Sequence, residues 1–67
     1  MTIDRKKVDI ILARKKVSVS ALCESVGFSR NRFYIVMNSK NVSPKTAGRV
    51  ADALGVDVTE IIETENK

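Results

Sequence analysis

With one cysteine and no histidine in 67 residues, this chain has no staple with which to hold a fold together. Cys23 cannot close an internal bridge, and a zinc constellation would lack its imidazole ligands. At this length a single hydrophobic core is near the limit at which it supports itself. The fold must be made by packing alone, helped at most by a partner chain, and residues 1–67 are expected to form one domain. Cys23 reads most simply as a small buried hydrophobe rather than a reactive thiol.

The local signals for that packing are helical. Thr2, Ser18, Ser43 and Asp57 each precede an apolar period and can accept hydrogen bonds from unpaired backbone amides. Pro44 follows Ser43 at the first helical position, where a missing N–H does no harm. Asp57 has Glu60 three residues on, a capping box, with Val56 and Ile61 at the spacing of a hydrophobic staple. Gly27 and Gly55 end helical periods where a left-handed cap is expected. The reading is an all-α chain of five helices over about 3–15, 18–26, 29–38, 44–54 and 58–64, with a frayed tail from Thr64 to Lys67 and no strand. The expected core takes Val8, Ile11 and Leu12 with Ile3 and Ile10 at one edge, then Leu22, Cys23, Val26, Ala47, Val50, Ala51 and Leu54, with Val58, Ile61 and Ile62 contributed by the fifth helix. Gly48, inside the fourth helix, suggests a close backbone approach.

Charge is unevenly placed. Residues 1–50 carry eleven Lys/Arg against Asp4, Asp9 and Glu24, a net of +8, whereas residues 51–67 have a net of −4. A basic body fits a polyanionic partner, nucleic acid before anionic membrane, although surface lysines also serve solubility alone. No apolar run reaches the length of a membrane span, and the basic start is not followed by a signal-peptide core, so a cytoplasmic protein is expected.

One stretch concentrates the unusual chemistry. VGFSRNRFYIVMN, residues 26–38, holds both phenylalanines and the only tyrosine, interleaved with two arginines and two asparagines. On a helix beginning after Ser29, with Phe33 at the inward pole, Ser29, Val36 and Met37 share the buried stripe. Asn31, Tyr34, Ile35 and Asn38 face the other way, and Arg30 and Arg32 border them. A surface that only meets water would favour lysine and glutamate. Arginine can instead donate twice to guanine, asparagine can pair both edges of adenine, and isoleucine can touch a thymine methyl in the DNA major groove. Ser29 and the amides of the first turn can meet a phosphate oxygen, and Tyr34 can reach a phosphate or a base.

Leu22, Val26, Phe28, Phe33 and Val36 would lock two short helices across a turn containing Gly27, a helix-turn-helix. Here the sequence resembles the lambda-repressor-like, XRE or Cro-type family of DNA-binding proteins. SVSALCESVGFSRNRFYIVMN matches the motif itself, with Cys23 and Gly27 in its small-residue and glycine places, and NVSPKTAGRVADALGVDVTEIIE is similar to the fourth and fifth helices. The resemblance implies a compact five-helix lambda-repressor-like domain whose third helix enters the major groove while the second lies across the backbone. It implies base contacts from Arg30, Asn31, Tyr34 and Ile35, with Ser29 and Arg32 at the edge. Phosphate contacts would come from Ser18, Ser20, Asn38, Lys40, Asn41 and Lys45. Departures from the pattern are Val19 in place of a glutamine that commonly holds a phosphate, Ser39 in place of a glycine, and Ile35 in place of a polar residue. Arg14, Lys15 and Lys16 either extend the phosphate footprint or sit as cations at the negative end of the first helix.

The expected function is sequence-specific binding to double-stranded operator DNA by a transcriptional regulator, a repressor in the first instance. A homodimer on two half-sites is expected, with Val58, Ile61 and Ile62 either forming its surface or closing the bundle. The alternative is an antitoxin-like or other protein-interaction module with Tyr34 and Ile35 as anchors. An enzyme is the poorest reading, since Asp57, Glu60 and Glu63 read as a cap and a solvated face and no histidine serves Ser, Thr or Tyr as a base. No cofactor, metal or small-molecule effector is expected.

Overall fold

The computed structural model describes residues 1–63 and contains four α-helices: α1 (Arg5–Lys15), α2 (Val19–Val26), α3 (Arg30–Asn38) and α4 (Pro44–Leu54), followed by one 3-10 turn at Val58–Glu60. The expected fifth helix is reduced to that turn; residue 64, its expected end, lies outside the described residues, as does the rest of the expected frayed tail. The reason for the shortening is visible in the backbone. Ile61 ends the turn, Ile62 forms an antiparallel bridge with Ile3, and the Glu63 amide donates to the Thr2 carbonyl at 2.9 Å. Backbone groups that pair sideways with the start of the chain are lost to a continuing helix.

The same pairing moves the first helix start. Thr2 was the expected cap, but Asp4 takes that place, its Oδ1 accepting from the amides of Lys6 and Lys7 at 3.0 and 3.3 Å. The Asp4 amide is bound to the Ile61 carbonyl at 2.7 Å, and the Thr2 hydroxyl donates to the Lys40 carbonyl. Residues 1–4 are thus extended between two other segments, with Met1 and Val42 exchanging hydrogen bonds through their main chains. Ile3 is buried as an extended residue, not a helical one.

The other starts follow local chemistry. Ser18, Ser29 and Ser43 each accept an amide hydrogen from the first turn of their helices, and Gly27 and Gly55 take the left-handed cap at φ 87° and 74°. Phe28 and Phe33 bracket the Ser29 cap at staple spacing and are both buried. Ser29 itself is exposed rather than part of the buried stripe, because a capping hydroxyl must turn back toward the amide of Arg32. Lys16 caps α1 in the left-handed region at φ 58°, and Lys15 reaches the glycine cap of α4. That position favours the reading of this cluster as cations at helix C-termini.

Every helix contributes to one core, centred on Phe33, Leu22, Val8, Val50 and Ile61, with Cys23 buried among them. One expectation about packing fails, and one open alternative is narrowed. Ile10 is 60 % exposed, since Val8, Ile11 and Leu12 already use the inward face of α1. Ile61 is fully buried, so it closes the core and offers no free surface for a dimer; Val58 and Ile62 are half-buried against it. No helix among the described residues is long and apolar enough to cross a membrane.

Gly48 corrects a second expectation, because a Cβ there would meet nothing within 4 Å. There is no close approach to preserve. Gly48→Ala should therefore raise stability by about 1 kcal/mol, whereas Gly27→Ala, forced into a left-handed backbone, should lower it by about 1–2 kcal/mol. Urea unfolding followed by circular dichroism measures both.

The capping box of the last turn carries a pH signature. The Thr59 hydroxyl and then the Thr59 amide donate to the Asp57 carboxylate and hold its pKa below the usual 3.8, while Glu60 accepts from the Asp57 amide. A depressed folded-state value means that this contribution is fully present above the ordinary value and is lost as pH falls through the folded one. Thermal melts of the wild type should lose stability on acidification below about pH 4, and Asp57→Asn should show a smaller loss over the same interval.

Candidate nucleic-acid interface

With Phe33, Val36 and Met37 buried, the remaining residues of α3 are turned outward. Arg30, Asn31, Arg32, Ile35 and Asn38 are exposed, Ile35 at 63 %, as are Ser18, Ser20 and Ser29 at the preceding helix starts. Lys40, Asn41 and Lys45 are exposed in the loop and first turn that follow.

The two borders of that face are built differently. On one side an open groove of about 510 Å³ separates α3 from the start of α4. It gathers Ser29, Asn31, Arg32 and Ile35 from α3 with Asn41 and Thr46 from the loop and α4. The amide of Asn41 donates to the Ser39 hydroxyl, and the Ser43 hydroxyl both caps α4 and donates to Thr46 Oγ1. Ser39, where a glycine is usual, closes α3 with an extended backbone, so the turn needs no left-handed residue.

On the other border the side chains lean on neighbouring helices. Arg30 Nη1 donates to Ser20 Oγ at 3.0 Å, which ties the first turn of α3 to the first turn of α2. The hydroxyl hydrogen of Ser20 stays free to donate elsewhere, so the residue can orient Arg30 and still meet an anion. Tyr34 is half-buried rather than fully outward, its ring edge-on to Phe33 at 5.4 Å and covered by the Arg5 guanidinium at 5.3 Å. Tyr34 is thus divided between core and surface, with its hydroxyl end as its polar part.

Arg49 was not anticipated, and it holds the helix-turn-helix in shape. From α4 its Nη2 donates to the Val26 carbonyl at 2.9 Å, at the unpaired end of α2, and its guanidinium lies 5.7 Å from the centre of the Phe28 ring. Arg32 approaches the same ring at 5.2 Å. Nothing local in the sequence marks Arg49 for this role, since the bond joins residues 23 positions apart.

Electrostatically the region is unbalanced. Among the described residues the one ion pair is Arg5 with Asp9, at 3.2 Å. Arg30, Arg32, Lys40 and Lys45 have no carboxylate within 4 Å there, and a surface that leaves its cations uncompensated attracts polyanions.

The model of one protein family, the Cro/C1-type HTH DNA-binding domain, matches residues 7–67. The chain belongs to this family. Its Cro/C1-type character makes it a DNA-binding helix-turn-helix protein, with double-stranded DNA as the implied partner. No curated protein and no solved structure matches the chain significantly. Within the Cro/C1-type architecture, α2, the Gly27 turn and α3 are the helix-turn-helix, and residues 1–6 lie outside the matched segment.

If Arg49 clips the turn of this Cro/C1-type domain, Arg49→Ala should lower stability by about 1 kcal/mol. Lysine in its place should recover only part of that, because a compact ammonium lacks the planar fork that both bonds and stacks. Denaturant titration of the two variants measures the difference.

Proposed function

We propose that residues 1–67 act as a transcriptional regulator, in the first instance a repressor, that reads operator DNA by inserting α3 into the major groove. The observation that carries this reading is the outward face of α3, where Asn31 and Ile35 stand exposed between Arg30 and Arg32 while the opposite stripe is buried. Arg30 and Asn31 supply paired donors and acceptors for guanine and adenine, and Ile35 supplies an apolar contact for a thymine methyl. Tyr34, half-covered, offers its hydroxyl at the edge of the same face. Ser18, Ser20, Ser29, Arg32, Asn38, Lys40, Asn41 and Lys45 form the phosphate footprint that fixes register.

A domain of this size touches little more than half a turn of duplex, so two copies on half-sites about one helical turn apart give the affinity that regulation requires. The exposed parts of Val58 and Ile62 are the candidate contact between them. Bound at a promoter, such a pair represses by occupying the site that polymerase needs. Ile35, exposed at 63 %, also favours a second reading in which this face docks an apolar protein partner such as a toxin. Salt separates the two, because phosphate contacts weaken steeply with ionic strength and apolar docking does not.

Selection of bound duplexes from a random library tests the reading. The wild type should return a shared, near-palindromic motif. Arg30→Ala should cost about 1–3 kcal/mol and relax preference at one base pair, whereas Lys40→Ala should weaken all sequences alike. A library recovered without any motif, even at low ionic strength, would overturn it.

A further inference from the structure

The border of α3 that faces α2 is short of positive charge. Its helix start supplies only Ser18, Val19 and Ser20, and Arg30 is itself bound to Ser20. A cation does reach this border from elsewhere. Arg5, the first residue of α1, stacks on Tyr34, one helical turn beyond Arg30, and lies outside the segment that the family accounts for.

Three observations bear on what Arg5 does there. Its guanidinium sits 5.3 Å from the Tyr34 ring centre, within one side-chain width of the face that meets the bases. The segment before it is anchored to the loop of the phosphate footprint by Thr2 on Lys40 and Met1 on Val42. Three residues, an extended reach of about 10 Å, then carry the chain from that loop to Arg5, so the position is fixed from two sides. Finally, Arg5 Nε is paired with Asp9 Oδ1 at 3.2 Å, and both side chains are about half exposed, 42 % and 55 %. A single-contact ion pair so exposed is weak and is readily exchanged for a phosphate, which can take a guanidinium through two parallel hydrogen bonds.

We propose that Arg5 is a DNA-backbone contact supplied by the start of α1, and that Asp9 is its internal competitor. In free protein the carboxylate of Asp9 occupies the guanidinium; on DNA a phosphate oxygen replaces it, with Tyr34 as the platform that keeps the cation beside the groove. Asp9 thereby lowers affinity for every sequence alike. The inference rests on the DNA-binding reading above and adds to it a contact and a device that sets its strength.

A phosphate contact is indifferent to sequence, so the test uses a fluorescein-labelled mixed-sequence duplex long enough for two half-sites, titrated with the full chain over a salt series. Arg5→Ala should weaken binding about eightfold near 0.1 M salt and flatten the log–log salt slope by about 0.9, the counterion-release value of one phosphate. Arg5→Lys should keep most of that slope. Asp9→Asn should tighten binding, and the gain should vanish in the Arg5→Ala background, whereas the gain from Asp52→Asn, away from this border, should persist there. Unchanged slope in Arg5→Ala, equal loss in Arg5→Lys, or an Asp9→Asn gain that survives without Arg5 would each overturn the proposal. Duplex binding that falls in Arg30→Ala but not in Arg5→Ala rejects this inference and leaves the DNA-binding reading standing. Absence of any duplex binding by the wild type rejects both.

Discussion

Burial of Phe33 with Val36 and Met37 is the constraint on which the rest of the molecule depends. A nine-residue helix is too short to be stable by itself in water, so α3 exists because its inner stripe fills the core and its start is capped and stapled. Once that stripe is fixed, the rotation of the helix is fixed as well. The side chains that remain have only one direction to point. Core packing and the polar outward face are thus two consequences of one orientation, and a change that rotated α3 by a single residue would scatter both.

The two edges of the outward face of α3 are held by different means, and this gives the face its asymmetry. Toward α4 there is an open groove whose polar residues come from a loop, with Arg32 resting near Phe28. Toward α2 and α1 the side chains are already engaged, Arg30 by a hydroxyl and Tyr34 by a guanidinium. Arg49 stands behind both arrangements. By bonding the last carbonyl of α2 it holds the turn that sets the angle between the two helices, and it does so from a helix that supplies the far wall of the groove. Side chains held in place beforehand lose less freedom when they bind a partner, which is the physical advantage of such bracing.

Much of this was legible because it is local. Ser18, Ser43 and Asp57 announce helix starts through a hydroxyl or carboxylate next to an apolar period, and Gly27 and Gly55 announce stops because few other residues tolerate a positive φ. The face of α3 followed from a 100° step per residue and one inward phenylalanine. What was not legible depends on partners distant in sequence. Asp4 displaced Thr2 as a cap, and the last helix shrank to one turn, because Ile3 pairs with Ile62 near the other end of the described chain. Ile10 lies outside the core it was expected to edge, since periodicity identifies an apolar face but not which of its members a small core has room for. Gly48 misled in the opposite way, since a Cβ there would meet nothing within 4 Å. Arg5 and Arg49 gave no local sign of their long-range contacts, Arg5 with the Tyr34 ring and Arg49 with the Val26 carbonyl and the Phe28 ring.

The extended run at the amino end has a practical side. The nitrogen of Met1 lies 3.1 Å from the Val42 carbonyl, and Thr2 holds Lys40, so the first residues are laid against the loop that carries two of the candidate phosphate contacts. Anything joined ahead of Met1 would begin its path at that loop and would exchange an ammonium for a neutral amide. An affinity tag on this side is therefore a modification of the candidate binding surface, and measurements made with one in place describe an altered molecule.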